Sequence, residues 1–438
     1  MKQWIFLIIL LIGSLVFAQE KVIAPTSYKS KMTLDQCIEH ALEYNNSISL
    51  RRESLIRSRL SHLNDLSEFM PNVSARFSWS RSEQEGFSYS ESGLIISKDH
   101  YSAGLSANQT LFSGGRNILA AKSSAFSRDI CSMDLWDNEA SLIFNVKNAF
   151  FSVVSAKRSS ENAEKALERI GDQMNLVNER DKLGLADPTE VTQIKVSYAQ
   201  NQLAHIQAKN ALEKAIESIA ILLAYPLDSE VELIDEELQM VQPKPLDQLI
   251  AIALDYNPQI KQGEIALKQA KLSKASSWSY YVPGVNASYS YNWSGSEMSE
   301  DLPQFDDEAT WNFGVSANWT IFSGTSRITN IKTSNSLLRD SETNLAIAKR
   351  SVEASVRDAY RQTQEASARI TLAGARLDDT SLNQELFNEK YKLGDCTLLE
   401  LLQAELSLQE AETEAISAKY DYNMAVAELV RLTGDIEN

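Results

Sequence analysis

The residues that could do chemistry are few, and their spacing argues against it. His40, His62, His100 and His205 are scattered, and no two stand at the His-x-x-x-His interval that puts a pair of imidazoles on one helix face for zinc. Cys37, Cys131 and Cys396 are odd in number and far apart, which reads as isolated thiols rather than a metal site or a disulfide framework. There is no phosphate-cradling Gly-Lys-Ser/Thr motif and no Gly-x-Ser-x-Gly elbow. The stretch "FSGGR" (Phe112 to Arg116) is too short for a dinucleotide fingerprint. No catalytic residue, metal or cofactor is expected, and the chain reads as something other than an enzyme.

Composition narrows the classes further. The chain has 438 residues, 23% of them charged, with few Gly and Pro, so it is neither disordered nor fibrous. A net charge of −17 argues against nucleic acid as a partner, since phosphate binding needs a basic face. The N-terminus "MKQWIFLIILLIGSLVFAQE" carries Lys2, an apolar run from Trp4 to Leu15, and Val16-Phe17-Ala18. This pattern predicts a signal peptide over residues 1–18, cleaved after Ala18. Beyond it no apolar stretch reaches the length of a helical membrane span.

The chain says most things twice. "LSANQTLFSGGR" (Leu105 to Arg116) returns as "VSANWTIFSGTSR" (Val315 to Arg327). "MTLDQCIEHALEYNNSI" from Met32 pairs with "KPLDQLIAIALDYNPQI" from Lys244, "PNVSARFSWS" from Pro71 with "PGVNASYSYN" from Pro283, and "NERDKLG" from Asn178 with "NEKYKLG" from Asn388. The order is the same and the offsets are 210 to 212, so the unit is half the chain: residues 19–243 and 244–438. That is far longer than a solenoid repeat.

Each half carries two stretches of period-two alternation. Val73, Ala75, Phe77 and Trp79 oppose Ser74, Arg76, Ser78 and Ser80; Trp311, Phe313, Val315, Ala317, Trp319 and Ile321 oppose Asn312, Gly314, Ser316, Asn318 and Thr320. Strands are predicted at about 72–80, 101–112, 284–293 and 311–322, with Gln109 set among apolar neighbours. Their length of about ten residues suits a tilted crossing of a bilayer. Trp79, Tyr101, Trp293 and Trp311 lie towards strand ends, where interfacial aromatics belong. Four strands cannot close a barrel, and an open edge in lipid leaves backbone groups unpaired. Closure therefore demands two or more chains; three would give twelve strands. Arg81 to His100 and Ser294 to Thr310 read as loops joining paired strands.

Between the strands the sequence is helical. Gly115 to Lys182 and Thr325 to Lys392 are 68 residues each without Pro, about 100 Å of helix apiece. Ala163, Leu167, Ile170, Met174 and Val177, and likewise Leu401, Ala404, Leu408, Ala411, Ala415 and Ala418, step by threes and fours as a coiled-coil seam. The remaining shorter helical segments sum, in pairs, to nearly the same length. Long helices thus run beside stacked shorter ones, turning at tips 183–189, within "DKLGLADPTEV" (181–191), and 393–397, within "YKLGDCTLLEL" (391–401). A coiled-coil envelope or surface scaffold with a non-membrane β head is the other reading of these elements.

Taken with the ordered duplication, the Pro-led strands, the "LFSGG" and "IFSGT" junctions and both Leu-Gly tips, the sequence resembles the TolC-like outer-membrane efflux protein family. The resemblance implies a mainly α fold with a β-barrel portion. In a homotrimer, four strands per chain would complete a 12-stranded outer-membrane barrel, and long antiparallel helices would form a periplasmic α-barrel tunnel. It implies a passive exit duct of a tripartite efflux or type I secretion system, partnered by a periplasmic adaptor protein, an inner-membrane pump and outer-membrane lipid. Carried over residue by residue, Thr189, Glu190, Tyr391 and Glu400 would gate the periplasmic entrance. Leu183, Gly184, Leu185, Leu393 and Gly394 would meet the adaptor. Cys396 and Gln403 depart from the best-defined gate, which has Arg and an acid there. Three copies of Glu400 around one axis would favour cations and raise some of their own pKa values.

Overall fold

The computed structural model describes residues 31–90, 93–227, 229, 231–234, 243–295 and 309–434, with 83–90, 93–98 and 295 described by backbone alone. The expected signal segment 1–18, part of the linker between the halves and most of the acidic 294–310 connection lie outside the described residues.

In chain order the elements are β1 (Lys31–Met32), α1 (Leu34–Tyr44), α2 (Asn46–Ser67), β2 (Asn72–Ser90), β3 (Gly93–Phe112), α3 (Arg116–Lys182), α4 (Pro188–Leu222), β4 (Glu232–Leu233), α5 (Leu246–Tyr256), α6 (Pro258–Ser279), β5 (Gly284–Gly295), β6 (Ala309–Asn318), α7 (Ser326–Leu393) and α8 (Leu398–Thr433). The lengths pair off between the halves: 11 and 11 residues for α1 and α5, 22 and 22 for α2 and α6, 67 and 68 for α3 and α7, 35 and 36 for α4 and α8. No described helix is long and apolar enough to cross a membrane.

Local chemistry sets the breaks. Thr33 and Gln36 form a capping box at the start of α1. Asp187 and Asn257 cap α4 and α6, each followed by Pro at the first helical position. At the ends of α3 and α7 the glycines Gly184 (φ 65°) and Gly394 (φ 80°) adopt the left-handed conformation. The amide of Leu185 then bonds back to the Arg180 carbonyl (2.8 Å) and that of Asp395 to Lys390 (2.8 Å), closing the last turns.

The chain forms two compact units, each drawing on both halves of the sequence. In the first, residues 142–241 and 366–424 supply the far ends of α3 and α7 with α4 and most of α8. Its core holds Ile170 and Val177 of α3, Ile194 of α4, Tyr391 of α7, and Leu398 and Leu401 of α8. β1 and β4 also pair here, in parallel. In the second unit α5, α6, the middle of α7 and the end of α8 pack through Leu249, Ala253, Ile260, Val352, Val356, Leu429 and Leu432. This unit also carries the four-stranded antiparallel sheet, in the order β2-β3-β5-β6.

Five strand boundaries differ from the alternation, among them the start of β6, at Ala309 rather than 311. The expected loop from Arg81 to His100 is strand through Ser90 and again from Gly93, with an irregularity between Arg81 and Gly86. Alternation marks a strand only while one face is apolar; past Ser80 that contrast fades, so a strand there has no pattern to show. β5 runs to Gly295, paired with Tyr101. β6 stops at Asn318 rather than 322, because Asn318 pairs with Gly284, where β5 begins, and no partner continues.

Candidate functional site

The register sorts the sheet into two chemistries. Ser74 lies opposite Ser106, Ser106 opposite Ser290 and Ser290 opposite Asn312; Arg76, Gly104, Asn292 and Thr310 form the next such row. Hydroxyls meet across this polar face, Ser74 with Ser106 at 2.8 Å and Ser78 with Ser102 at 2.7 Å. The alternate rows are Ala75-Leu105-Tyr291-Trp311 and Val73-Ala107-Tyr289-Phe313. On that face Val73, Phe77, Trp79, Leu105, Tyr289, Trp311, Phe313 and Val315 are 42–69% exposed. A monomer in water rarely leaves so continuous an apolar surface bare. Among the described residues the outer edges of β2 and β6 have no strand beside them. Gln109, the polar intruder, turns its amide onto the Thr110 carbonyl (3.1 Å).

Below the sheet the twice-written phrase makes the strand-to-helix turn. Gly114 sits at φ 68°, and a Cβ there would fall 2.7 Å from the Ser279 carbonyl oxygen, so only glycine lets the two backbones approach. The buried Ser113 hydroxyl accepts from the Asn117 amide (3.2 Å). Arg116, closing the first copy, lies over the Tyr280 ring (5.2 Å); Arg327, closing the second, lies over Tyr281 (5.1 Å).

At the helix tips the resemblance-derived residues fall into three environments. Leu183, Leu185 and Leu393 are 73%, 65% and 77% exposed, flanking the exposed Gly184 and Gly394. Thr189 and Glu190 lie in the first turn of α4, where the Asp187 carboxylate accepts from the Thr189 amide (2.8 Å) and hydroxyl (2.7 Å). Those bonds hold the Asp187 carboxyl below its usual range. Tyr391 is buried, its hydroxyl without a hydrogen-bond partner among the described residues, and the Arg180 guanidinium lies 5.1 Å over its ring. Burial first, then the Glu190 charge, push its phenol up, with Arg180 opposing. The fold therefore brings Glu190 of one tip to Tyr391 of the other.

Glu400 stands apart from that pair, in the capping box of α8. Its carboxylate accepts from the Thr397 amide (2.8 Å) and hydroxyl (2.9 Å), while its own amide donates to Thr397 Oγ1 (3.3 Å). Within the chain these bonds hold its carboxyl below the usual range. Cys396 donates to the Phe387 carbonyl (3.5 Å), and burial, then the Glu400 charge, raise its thiol pKa. Burial alone pushes Cys37 up to about 12. Thr189, Leu399 and Gln403 line one groove of about 1030 Å³ between α4 and α8.

Two features of the tips and the seam show in no motif of the sequence. Arg180 over Tyr391 is one. The other is a charged cluster inside the helical seam: Arg169 Nε donates to Glu405 Oε1 (2.7 Å), Gln384 donates to Glu405 Oε2 (3.0 Å), and Glu412 lies 3.6 Å from the same guanidinium. Its trace was available, since Glu405 and Glu412 continue the spacing of Leu401 and Leu408 on the buried side of α8. Burial raises the Glu412 pKa, Arg169 opposes, and Glu405 adds to the rise. The folded chain thus holds this proton more tightly than the unfolded one, so its contribution to stability grows as pH falls through the raised pKa and levels off near the ordinary value of about 4.3. Glu412→Gln is expected to remove that acid-side gain. Melting temperatures of wild type and variant should converge towards the acid end and separate at neutral pH, with the variant higher; parallel curves would refute the assignment.

Comparison with known proteins follows the same lines. The profile of the family described as outer membrane efflux protein matches residues 67–224 and 249–435. Outer membrane protein TolC of Salmonella enteritidis is 21% identical over 334 residues, 75% of this chain and 67% of that one. Outer membrane efflux protein BepC of Brucella suis biovar 1 is 21% identical over 371 residues, 84% of this chain and 78% of that one. The solved Campylobacter jejuni CmeC outer membrane channel has the same fold, with a TM-score of 0.81 at 16% identity, covering 96% of this chain and 90% of that one. With its exposed apolar sheet face, its polar opposite face and the family match over most of its length, the chain belongs to the outer membrane efflux protein family: it is a TolC-like channel protein of the outer membrane, a transport protein and not an enzyme.

Proposed function

We propose that three copies of this chain close a twelve-stranded barrel and continue it as a helical tunnel in the periplasm. The assembly would serve as the passive exit duct of a tripartite efflux or type I secretion system. The observation that carries this is the pair of open edges, β2 and β6, on a sheet whose apolar face is bare. In lipid every backbone donor and acceptor on those edges must find a partner, and only another chain can supply it. The polar rows of Ser, Asn and Thr then face the water-filled bore. The paired element lengths support two tandem repeats, 19–243 and 244–438, and the apolar run between Lys2 and Ala18 supports a signal peptide of residues 1–18 that is removed on export.

In this assembly the exposed leucines at Leu183, Leu185 and Leu393, with Gly184 and Gly394, meet a periplasmic adaptor that couples the duct to an inner-membrane pump. Apolar side chains at a tip that water would otherwise wet are what such docking removes from solvent. Thr189, Glu190, Tyr391 and Glu400 form the periplasmic gate. Light scattering of the detergent-solubilised protein should give a trimer, and planar bilayers should show discrete conductance; a monomer without conductance would end this reading.

The gate carries its own test. Gln fills the capping-box position as well as Glu does, so Glu400→Gln keeps the start of α8 and removes only the charge. The variant pore is expected to lose cation selectivity, its reversal potential under a salt gradient moving towards that of an unselective pore. An unshifted reversal potential would remove Glu400 from the constriction.

A further inference from the structure

Acidic residues are missing from three long stretches of a chain whose net charge is −17: residues 100–128, 265–296 and 309–339 contain neither Asp nor Glu. These are the segments that enter and leave the sheet. Within about 12 Å of helix from the sheet, they place Arg116 and Lys122 at the start of α3, Lys271 and Lys274 at the end of α6, and Arg327 and Lys332 at the start of α7. None of these six cations is ion-paired among the described residues. Among the described residues of these segments only Asp65 and Glu68, at the end of α2, bring acid to the same level.

Two of the six are held in place by aromatic rings. Arg116 over Tyr280 and Arg327 over Tyr281 sit among Trp278, Tyr280, Tyr281 and Trp319, which are 39–59% exposed. Trp319 continues the odd-numbered series of apolar residues in β6, and its indole donates to the Tyr281 carbonyl (3.1 Å). Arg327 also donates to the Thr320 carbonyl. The guanidinium of Arg327 is thus fastened to the rim of the apolar face rather than left to solvent. Aromatics at this level mark where hydrocarbon gives way to headgroups.

The geometry points to a collar at the foot of the sheet that binds the phosphates of anionic phospholipids in the periplasmic leaflet, with Arg116 and Arg327 as its fixed elements. Arginine matches a phosphodiester by charge and by its planar fork of donors, and its aromatic seat lowers the entropy lost on binding. The lysines further along the helices reach the same layer through its electrostatic field, within about 8 Å at physiological salt. The inference rests on the barrel reading above, because it needs the sheet to stand in a bilayer.

The test uses the full chain in phosphatidylcholine vesicles, with trace spin-labelled phosphatidylglycerol or spin-labelled phosphatidylcholine reporting which lipid sits at the protein boundary. Phosphatidylglycerol is expected to be preferred, the preference fading at high salt. Arg116→Gln with Arg327→Gln should lower it by up to about fivefold per arginine. Lys349→Gln with Arg350→Gln, far along α7, should leave it unchanged. Equal partition of the two tracers into the wild-type boundary, or an undiminished preference in the double arginine variant, would overturn the collar. So would loss of the preference to inorganic phosphate at constant ionic strength, which would mark a free-anion site instead. Conductance of the wild-type protein in the same vesicles reports separately on the barrel reading.

Discussion

Phe313→Arg is expected to destabilise the inserted sheet by about 2–4 kcal/mol per copy, the cost of a basic side chain at mid-depth on the lipid side of a barrel. Phe313 lies in the middle of β6 opposite Tyr289, on the bare apolar face, and is 63% exposed in the isolated chain. Its neighbour Asn312 pairs with Ser290 on the polar face. Asn312→Arg therefore adds the same group one residue away but offers it to water, and should cost little. Urea titration of vesicle-inserted protein, followed by loss of the heat-modifiable oligomer, compares the two. The difference between the variants is the informative quantity, since it cancels the general effect of adding charge to a strand. Equal destabilisation would mean that the two faces meet the same solvent, and the membrane orientation of the sheet would be wrong.

The second large effect lies in the helical seam. Arg169→Ala is expected to lower stability by about 3–5 kcal/mol, because it leaves the carboxylate of Glu405 buried without its counter-charge. The Glu405 side chain is only 3% exposed, against 26% for Arg169, so the penalty falls on the acid. Gln384 continues to donate to it, which satisfies one oxygen but neutralises nothing. Arg169→Leu combined with Glu405→Leu should recover most of the loss, since two apolar groups in a seam need no partner. Thermal unfolding followed by helical circular dichroism measures both. If the double variant melts no higher than Arg169→Ala, the loss comes from packing around the arginine stem and not from a stranded charge.

Most of what places the channel was legible in the residues. Val73 to Trp79 and Trp311 to Ala317 alternate because one side of each strand meets an apolar medium, and that contrast is written in the side chains themselves. The caps at Asp187-Pro188 and Thr397 could be read because they act over two or three residues. The strand beyond Ser80 could not, since a ladder of backbone hydrogen bonds in water puts no constraint on which side chains flank it. Nor could the seat of Tyr391 under Arg180, which depends on two tips meeting from opposite halves of the chain. Glu405 was harder for another reason. A glutamate in a helix is ordinarily solvated, and only its spacing from Leu401 and Leu408 marks it as buried.

The near-identity of α3 and α7, 67 and 68 residues, has a consequence for how such a molecule can change. Gain or loss of a single heptad in α3 alone would move its tip by about 10 Å along the helix. Arg180 would then leave Tyr391, and the returning α4 would no longer be the right size. Insertions and deletions must therefore come in compensating sets, one in each long helix and others in the shorter helices beside them. The matched lengths thus set a rule on any descendant: the two halves can diverge freely in side chains, but they must keep the same measure.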